Sequence, residues 1–352
     1  MTALRSWVAT RVALAVLVFA GAHQLLIDQR QGFLDRWDSW DVTLFIKVAQ
    51  YGYDGYPAHY PDKDVAAFFP GFPLALRLVH TVVPDWRAAG LLVSFVAGGV
   101  AMLYLKRLGD GVGDRAVLYL VLSPYAVFLA AGYSEALFLA FALPGWYAAR
   151  NGRWPAAGLL VAAACTVRVS GAFLAVALLV EWATTSRETR DLPWLVAPFA
   201  ALFGYAAYLH HLTGDWLRWQ HAQASGWGRH LTSPLTSLQR SWDASNSNIG
   251  AEYRWSFRAE IVAVAVGLLV TVVLVRRKAW GEATYVGLSV AALATSTYYL
   301  SIARATLLWF PVWLLLAEVA SKRAWVHTAY LAVAPALMAV VVLTFTNGHW
   351  VG

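Results

Sequence analysis

The chain has 352 residues, of which 59% are hydrophobic and 13% charged, with a mean hydropathy of +0.54. A soluble domain carries about 45–50% apolar and about 25% charged residues, so the balance excludes an ordinary soluble enzyme and a disordered protein, while the single Cys165 excludes a disulfide scaffold. The net charge of +7 is what the cytoplasmic loops of a polytopic membrane protein supply under the positive-inside rule, and it requires no nucleic acid.

The first apolar stretch runs from Val8 to Ile27. Its Ala20-Gly21-Ala22 resembles a signal-peptidase site, but the many stretches that follow favour an uncleaved first helix. Residues 28–87 then form a long polar loop. Within it, Trp37, Trp40, Leu44, Phe45 and Val48 recur at helical spacing, which predicts an interfacial helix anchored by tryptophan. Residues 66–83 contain Pro70, Pro73 and Arg77 and stop before Pro84, so they are expected to lie at the interface or re-enter rather than cross. Further apolar stretches run near 88–105, 115–131, 133–149, 155–170, 171–182, 193–212, 259–275, 283–300, 304–320 and 325–346. With about 20 residues needed per crossing, 155–170 and 171–182 are short and are expected to be broken or partly submerged.

Placing the N-terminus inside puts fourteen of the 27 basic residues in short cytoplasmic segments, among them Arg5, Arg11, Arg150, Arg153, Arg276, Arg277 and Lys278. The two long loops, 28–87 and 213–257, then face the extracytoplasmic side. There is no internal repeat, low-complexity tract or soluble domain. The expectation is an all-α, multi-pass cell-membrane protein, one integral domain over 1–352, with about 11 transmembrane helices by that span length and extracytoplasmic interfacial helices.

The first loop is acidic. Asp38 and Asp41 are three residues apart and are expected to share a helical face. A carboxylate held beside apolar groups at a membrane surface has its pKa raised by desolvation, which suits a general base; the alternative is a pair of solvated loop acids. Arg168 and Arg304 fall in apolar runs, where a charge costs at least about 2.5–3.5 kcal/mol on insertion scales. Either they pair with Glu135 or snorkel outward, or they line a polar cavity. Asp41, Glu135, Arg168 and Arg304 all fall on one side by this topology, and arginine is suited to gripping phosphate. Trp216, Trp219, Trp227, Trp242 and Trp255 of the second loop are either sugar-stacking residues or interfacial anchors. No His/Cys/Asp cluster has metal-ligand spacing, and no phosphate-binding loop or dinucleotide fingerprint occurs.

Several motifs in chain order resemble the GPI mannosyltransferase II (phosphatidylinositol-glycan class V) family. They are Trp40-Asp41 ahead of Gly52-Tyr53, the run Ala67-Phe68-Phe69-Pro70-Gly71-Phe72-Pro73-Leu74-Ala75-Leu76, Ser123-Pro124 with Gly132-Tyr133-Ser134-Glu135-Ala136-Leu137-Phe138, Val167-Arg168-Val169-Ser170-Gly171, and Ile302-Ala303-Arg304 with Phe310-Pro311. Two departures occur. The Trp-Asp element is doubled by Trp37-Asp38, where spacing to Gly52-Tyr53 favours Asp41, and Ala305-Thr306 stands where the family usually has an aromatic residue.

The resemblance implies a GT-C membrane glycosyltransferase. It would move mannose from polyprenyl-phosphate mannose to an extracytoplasmic hydroxyl of a glycolipid, glycan or protein, with inversion. The chain is bacterial in style and GPI anchors are eukaryotic, so the family's named acceptor is not carried over. On this reading Asp41, or else Asp38, is the base. Arg168 and Arg304 hold the donor phosphate, and Trp40, Phe69, Tyr133, Glu135 and Trp227 are the expected substrate contacts. The donor is an activated lipid phosphate, so no metal or other cofactor is expected; membrane lipids are partners and nucleic acid is not. The competing readings are a transporter or lipid flippase with charges lining a path, and a membrane subunit that only holds a partner enzyme.

Overall fold

The computed structural model describes residues 3–21, 32–54, 64–248 and 250–351. Parts of the expected first loop, including Asp28 and Asp62, lie outside the described residues. Sixteen α-helices are present among those described, and no strand. They are α1 (Ala3–Ala20), α2 (Asp41–Tyr51), α3 (Gly71–His80), α4 (Trp86–Leu108), α5 (Gly113–Val121), α6 (Ser134–Arg150), α7 (Trp154–Val167) and α8 (Ser170–Thr185). They continue as α9 (Leu192–Thr213), α10 (Arg218–Trp227), α11 (Pro234–Asn246), α12 (Ala251–Arg276), α13 (Trp280–Ala294), α14 (Ile302–Ala305), α15 (Phe310–Lys322) and α16 (Ala324–Thr346).

The expected apolar stretches fall largely on helices within the described residues, though residues 22–27 of the first lie outside those described and α13 ends at Ala294, short of 300; the expected count of about 11 crossings is not established. Among the described residues five helices are long and apolar enough to cross a membrane, or up to six if the bent pair Ile302–Leu308 and Phe310–Lys322 is one span. Stretch 115–131 is not one rod: α5 has 9 residues, and a 3-10 turn follows at Ala126–Leu129. Pro124 explains the break, because a proline disfavours helical geometry at the residue before it. α7 and α8 have 14 and 16 residues, roughly 21 and 24 Å at 1.5 Å per residue, short of the roughly 30 Å hydrocarbon core. The segment 66–83 yields only the 10-residue α3. Its Leu74 and Leu78, one turn apart, are exposed, as is Val82 beyond its end; this apolar stripe fits an interfacial helix.

The chain divides into two compact units. The first comprises Met1–Ile46, Ala75–Leu143 and Leu307–Val351. In it α1 packs on α4, α5 and α16, and α15 packs on α5. Arg11 of α1 is buried; its guanidinium lies 4.2 Å from the Trp7 ring centroid and donates to the Ala126 carbonyl at 3.3 Å. A charge within an apolar helix is thus kept against protein. Asp85 caps α4 by accepting from the N–H groups of Arg87 at 2.8 Å and Ala88 at 3.1 Å, as N-terminal caps do.

The second unit comprises Lys47–Leu74 and Pro144–Thr306. In it α7 packs on α8 and α9, α8 on α13, and α12 on α11 and α13. The end of α6 is tied to α13 and α8 through Arg150, whose guanidinium lies 2.8 Å from the Glu282 carboxylate and 3.9 Å from that of Glu181. Ser233 caps α11, accepting from the Thr236 N–H at 3.2 Å, and Pro234 occupies its first turn. α9 and α10 end on left-handed Gly214 and Gly228, the usual glycine stop.

Candidate active site

The expected site residues fall into two groups, one in each unit. In the first unit, α2 begins at Asp41. Trp40 before it has φ +59°, a left-handed conformation that costs a bulky residue about 1–3 kcal/mol. That bend separates the two acids. Asp38 stands ahead of the helix, exposed, and its carboxylate accepts from the Thr43 hydroxyl at 2.9 Å. Asp41 is half-buried. The expectation that both share one helical face is therefore corrected, because Asp38 is not on the helix.

Tyr133 fixes the Asp41 backbone. Its ring is 1% exposed and stacks edge-on against Phe45 of α2 and Phe128. Its hydroxyl accepts from the Asp41 N–H at 3.2 Å and donates to the Ser39 carbonyl at 3.3 Å. The Tyr133 segment is pinned in turn by the Ser94 hydroxyl of α4, which donates to the Ala131 carbonyl at 2.6 Å. Glu135, fully buried, sits in the first turn of α6. Thus Trp40, Asp41, Tyr133 and Glu135 belong to two short segments clamped by Tyr133. Trp40 itself is 43% exposed.

In the second unit the Phe68–Gly71 run is gripped from the second loop and α9. The Trp219 indole N–H donates to the Ala67 carbonyl at 3.1 Å, and the Arg218 guanidinium pairs with Asp64 at 2.5 Å. Tyr53 donates to the Phe68 carbonyl at 2.7 Å, and the Tyr205 hydroxyl lies 2.8 Å from the carbonyls of Ala66 and Phe68. Burial holds the Tyr53 hydroxyl well above its ordinary pKa, so it stays a donor. Phe69 packs on Tyr205 and Trp219, and Phe68 on Trp227. A Cβ on Gly71 would meet the Thr166 carbonyl oxygen at 2.8 Å, so this run touches the last turn of α7.

Arg168 lies at the C-terminal end of that same turn. It is extended (φ −154°, ψ 153°) and half-buried, at an elbow between α7 and α8 rather than inside one apolar helix. The elbow depends on Gly171, where a Cβ would stand 2.5 Å from the Cys165 Cα.

Arg304, 6% exposed, lies on the one-turn α14, which starts from Ser301 at φ +61°. The buried Glu260 carboxylate of α12 accepts from the N–H groups of Ile302 at 2.5 Å and Ala303 at 3.0 Å. Arg229, just past α10, donates to the Leu300 carbonyl at 3.3 Å and lies within electrostatic reach of Glu260. The Tyr298 hydroxyl donates to the Trp227 carbonyl at 3.3 Å. A continuous set of contacts therefore joins the Arg168 elbow, Phe68–Gly71, Trp227, Arg229 and the Arg304 turn. The sequence reading named Arg168, Phe69, Trp227 and Arg304 but missed Glu260 and Arg229; an acid at the polar end of an apolar run is the signal for Glu260. Among the described residues no His/Cys/Asp/Glu group is arranged to hold a metal.

The profile of the Mannosyltransferase (PIG-V) family matches residues 8–186. GPI alpha-1,6-mannosyltransferase 2 of Cricetulus griseus is 36% identical over 167 residues, 43% of this chain and 32% of that protein. GPI mannosyltransferase 2 of Yarrowia lipolytica is 29% identical over 188 residues, 51% of this chain and 50% of that protein. The chain spans between a third and a half of the length of these curated relatives. The Archaeoglobus fulgidus oligosaccharyltransferase structure aligns over 98% of this chain and 56% of its own, with TM-score 0.50 and 11% identity, a likeness of fold alone. The family match runs over half the chain and takes in the Trp40-Asp41, Phe69, Tyr133-Glu135 and Arg168 motifs: the chain belongs to the Mannosyltransferase (PIG-V) family.

Proposed function

We propose that the chain moves mannose from polyprenyl-phosphate mannose to the hydroxyl of an extracytoplasmic glycolipid, glycan or protein, with inversion at the anomeric carbon. The observation that carries this reading is the family match over residues 8–186. Asp41 takes the proton of the acceptor hydroxyl as its oxygen attacks C1. The bond from C1 to the phosphate oxygen breaks, and the polyprenyl phosphate leaves with the electron pair. No carboxylate nucleophile is used; by analogy with glycosidases, only a retaining route forms that covalent intermediate. Arg168 and Arg304 stabilise charge developing on the phosphate, an effect worth about 2.7–4 kcal/mol per well-placed donor elsewhere.

The setting of Asp41 favours it over Asp38. Its backbone is held by a buried tyrosine, and a strained Trp40 precedes it, whereas Asp38 is exposed. Trp40, Phe69 and Trp227 are assigned to substrate contact; Tyr133 and Glu135, also expected there, are buried and would act by positioning the segment that carries Asp41; no metal takes part.

The test is the purified chain in liposomes with radiolabelled polyprenyl-phosphate mannose, a simple mannoside acceptor and EDTA. A labelled glycoside is the expected product. Translocation of the donor without glycoside would replace this reading with a flippase, and no product until another protein is added would replace it with a holding subunit.

A further inference from the structure

Helix α11 is built the wrong way round for a helix in water. The face it turns to protein is serine: Ser237, Ser241 and Ser245, spaced four apart, are at most 1% exposed. These hydroxyls are used. Ser237 bonds the Ser296 carbonyl, and Ser241 accepts the Tyr299 N–H at 2.8 Å. Small residues let α11 lie close against α12 and the 295–301 segment. Meanwhile Leu235 is 64%, Leu238 38% and Trp242 60% exposed. At about 100° per residue these three fall in a sector roughly 60° wide, flanked by Gln239 and Asp243 on the other side. The helix therefore has three faces: serine to protein, apolar outward, polar outward.

We propose that α11 lies in the membrane interface, with Leu235, Leu238 and Trp242 seated at the boundary of headgroups and acyl chains. Three observations select lipid as the occupant. Only a few residues separate α11 from α12, against which it packs, and α12 is apolar and long enough to span a bilayer. The first turns of α12 carry Trp255, 67% exposed, with the Arg258 guanidinium 4.9 Å from its ring centroid, an aromatic and cation pairing suited to the headgroup layer. Farther along α12, Val262 and Leu269 stand more than 60% exposed, as lipid-facing side chains of a span do. With α11 packed on α12, lipid at the exposed α12 row is the nearest apolar medium for the α11 face. Of the two readings of the second-loop tryptophans, Trp242 is assigned to anchoring rather than sugar stacking. Because its serine face holds 295–301, α11 ties the segment leading into the Arg304 turn to the bilayer surface.

Site-directed spin labelling tests this independently of the proposed reaction. Cys165 is fully buried, so Leu235→Cys, Leu238→Cys, Trp242→Cys and Asp243→Cys can each be labelled selectively in the full chain reconstituted in phosphatidylcholine vesicles. Collision with oxygen, which concentrates in lipid, is compared with collision with water-soluble nickel ethylenediaminediacetate. The expected oxygen-to-nickel ratio is severalfold higher at 235, 238 and 242 than at 243. Nickel collision at 235 and 242 equal to that at 243 would overturn the proposal in favour of water. Low collision with both reagents at 235, 238 and 242 would overturn it in favour of a protein cover, such as a second copy.

Discussion

Replacing Glu260 probes the turn that carries Arg304. The buried carboxylate accepts two backbone N–H groups, from Ile302 at 2.5 Å and Ala303 at 3.0 Å. Hydrogen bonds to a charged group contribute about 1.5–3 kcal/mol each, against about 0.5–1.5 for neutral ones. Glu260→Gln keeps an acceptor oxygen and loses only the charge, so the turn is weakened by about 1–3 kcal/mol. Glu260→Ala leaves two buried donors without an acceptor, at about 1–3 kcal/mol each, or roughly 2–6 in all. If Arg304 acts from that turn, about 1.4 kcal/mol is tenfold in rate. Glu260→Gln is therefore expected to slow mannose transfer about tenfold to a hundredfold while the protein still inserts. Glu260→Ala is expected to be slower still and to melt earlier. The assay pairs transfer in liposomes at subsaturating donor with thermal melting followed by size-exclusion chromatography. Wild-type transfer and melting in Glu260→Ala would refute the reasoning.

Two further outcomes follow from the first unit. Tyr133→Phe removes the hydroxyl that joins the Asp41 N–H to the Ser39 carbonyl, two neutral bonds worth about 0.5–1.5 kcal/mol each; transfer is expected to fall severalfold with folding intact, and unchanged kinetics would show that this bridge does not position the acid. The hydrogen bond from Arg87 holds the Asp85 carboxyl down to about 2. A depressed carboxyl stabilises the fold above its unfolded pKa of about 3.9 and loses that contribution as pH falls through the folded value, so melting should drop between about pH 4 and 2 and Asp85→Asn should flatten that drop. Identical acid profiles for the two proteins would contradict the linkage.

What the sequence made legible was whatever depends on composition or local pattern. Apolar runs located the helices because only satisfied backbone survives in lipid, and the family motifs are what nominate Asp41, Arg168 and Arg304 for the proposed chemistry. Features set by distant partners stayed hidden. α12 starts at Ala251 rather than 259 because Glu252, Arg254 and Arg258 interrupt the hydropathy without interrupting the helix. Glu260 went unnoticed because its partners are backbone N–H groups 42 and 43 positions away, which have no side-chain signature. The left-handed turn at Trp40 has no residue code either, since such turns favour glycine or asparagine; hence two acids three apart seemed to share a face. The sequence divides this region into 155–170 and 171–182 but leaves Arg168 inside the first stretch, because an extended residue flanked by apolar neighbours does not interrupt the hydropathy although it ends the helix at Val167.

The most direct test of the account compares three proteins in one assay: the purified parent chain, Asp41→Asn and Asp38→Asn, each supplied with labelled polyprenyl-phosphate mannose. The account predicts that Asp41→Asn inserts and melts like the parent but forms no measurable glycoside, while Asp38→Asn keeps most of the rate. Near-normal turnover by Asp41→Asn would contradict it, whatever Asp38→Asn does.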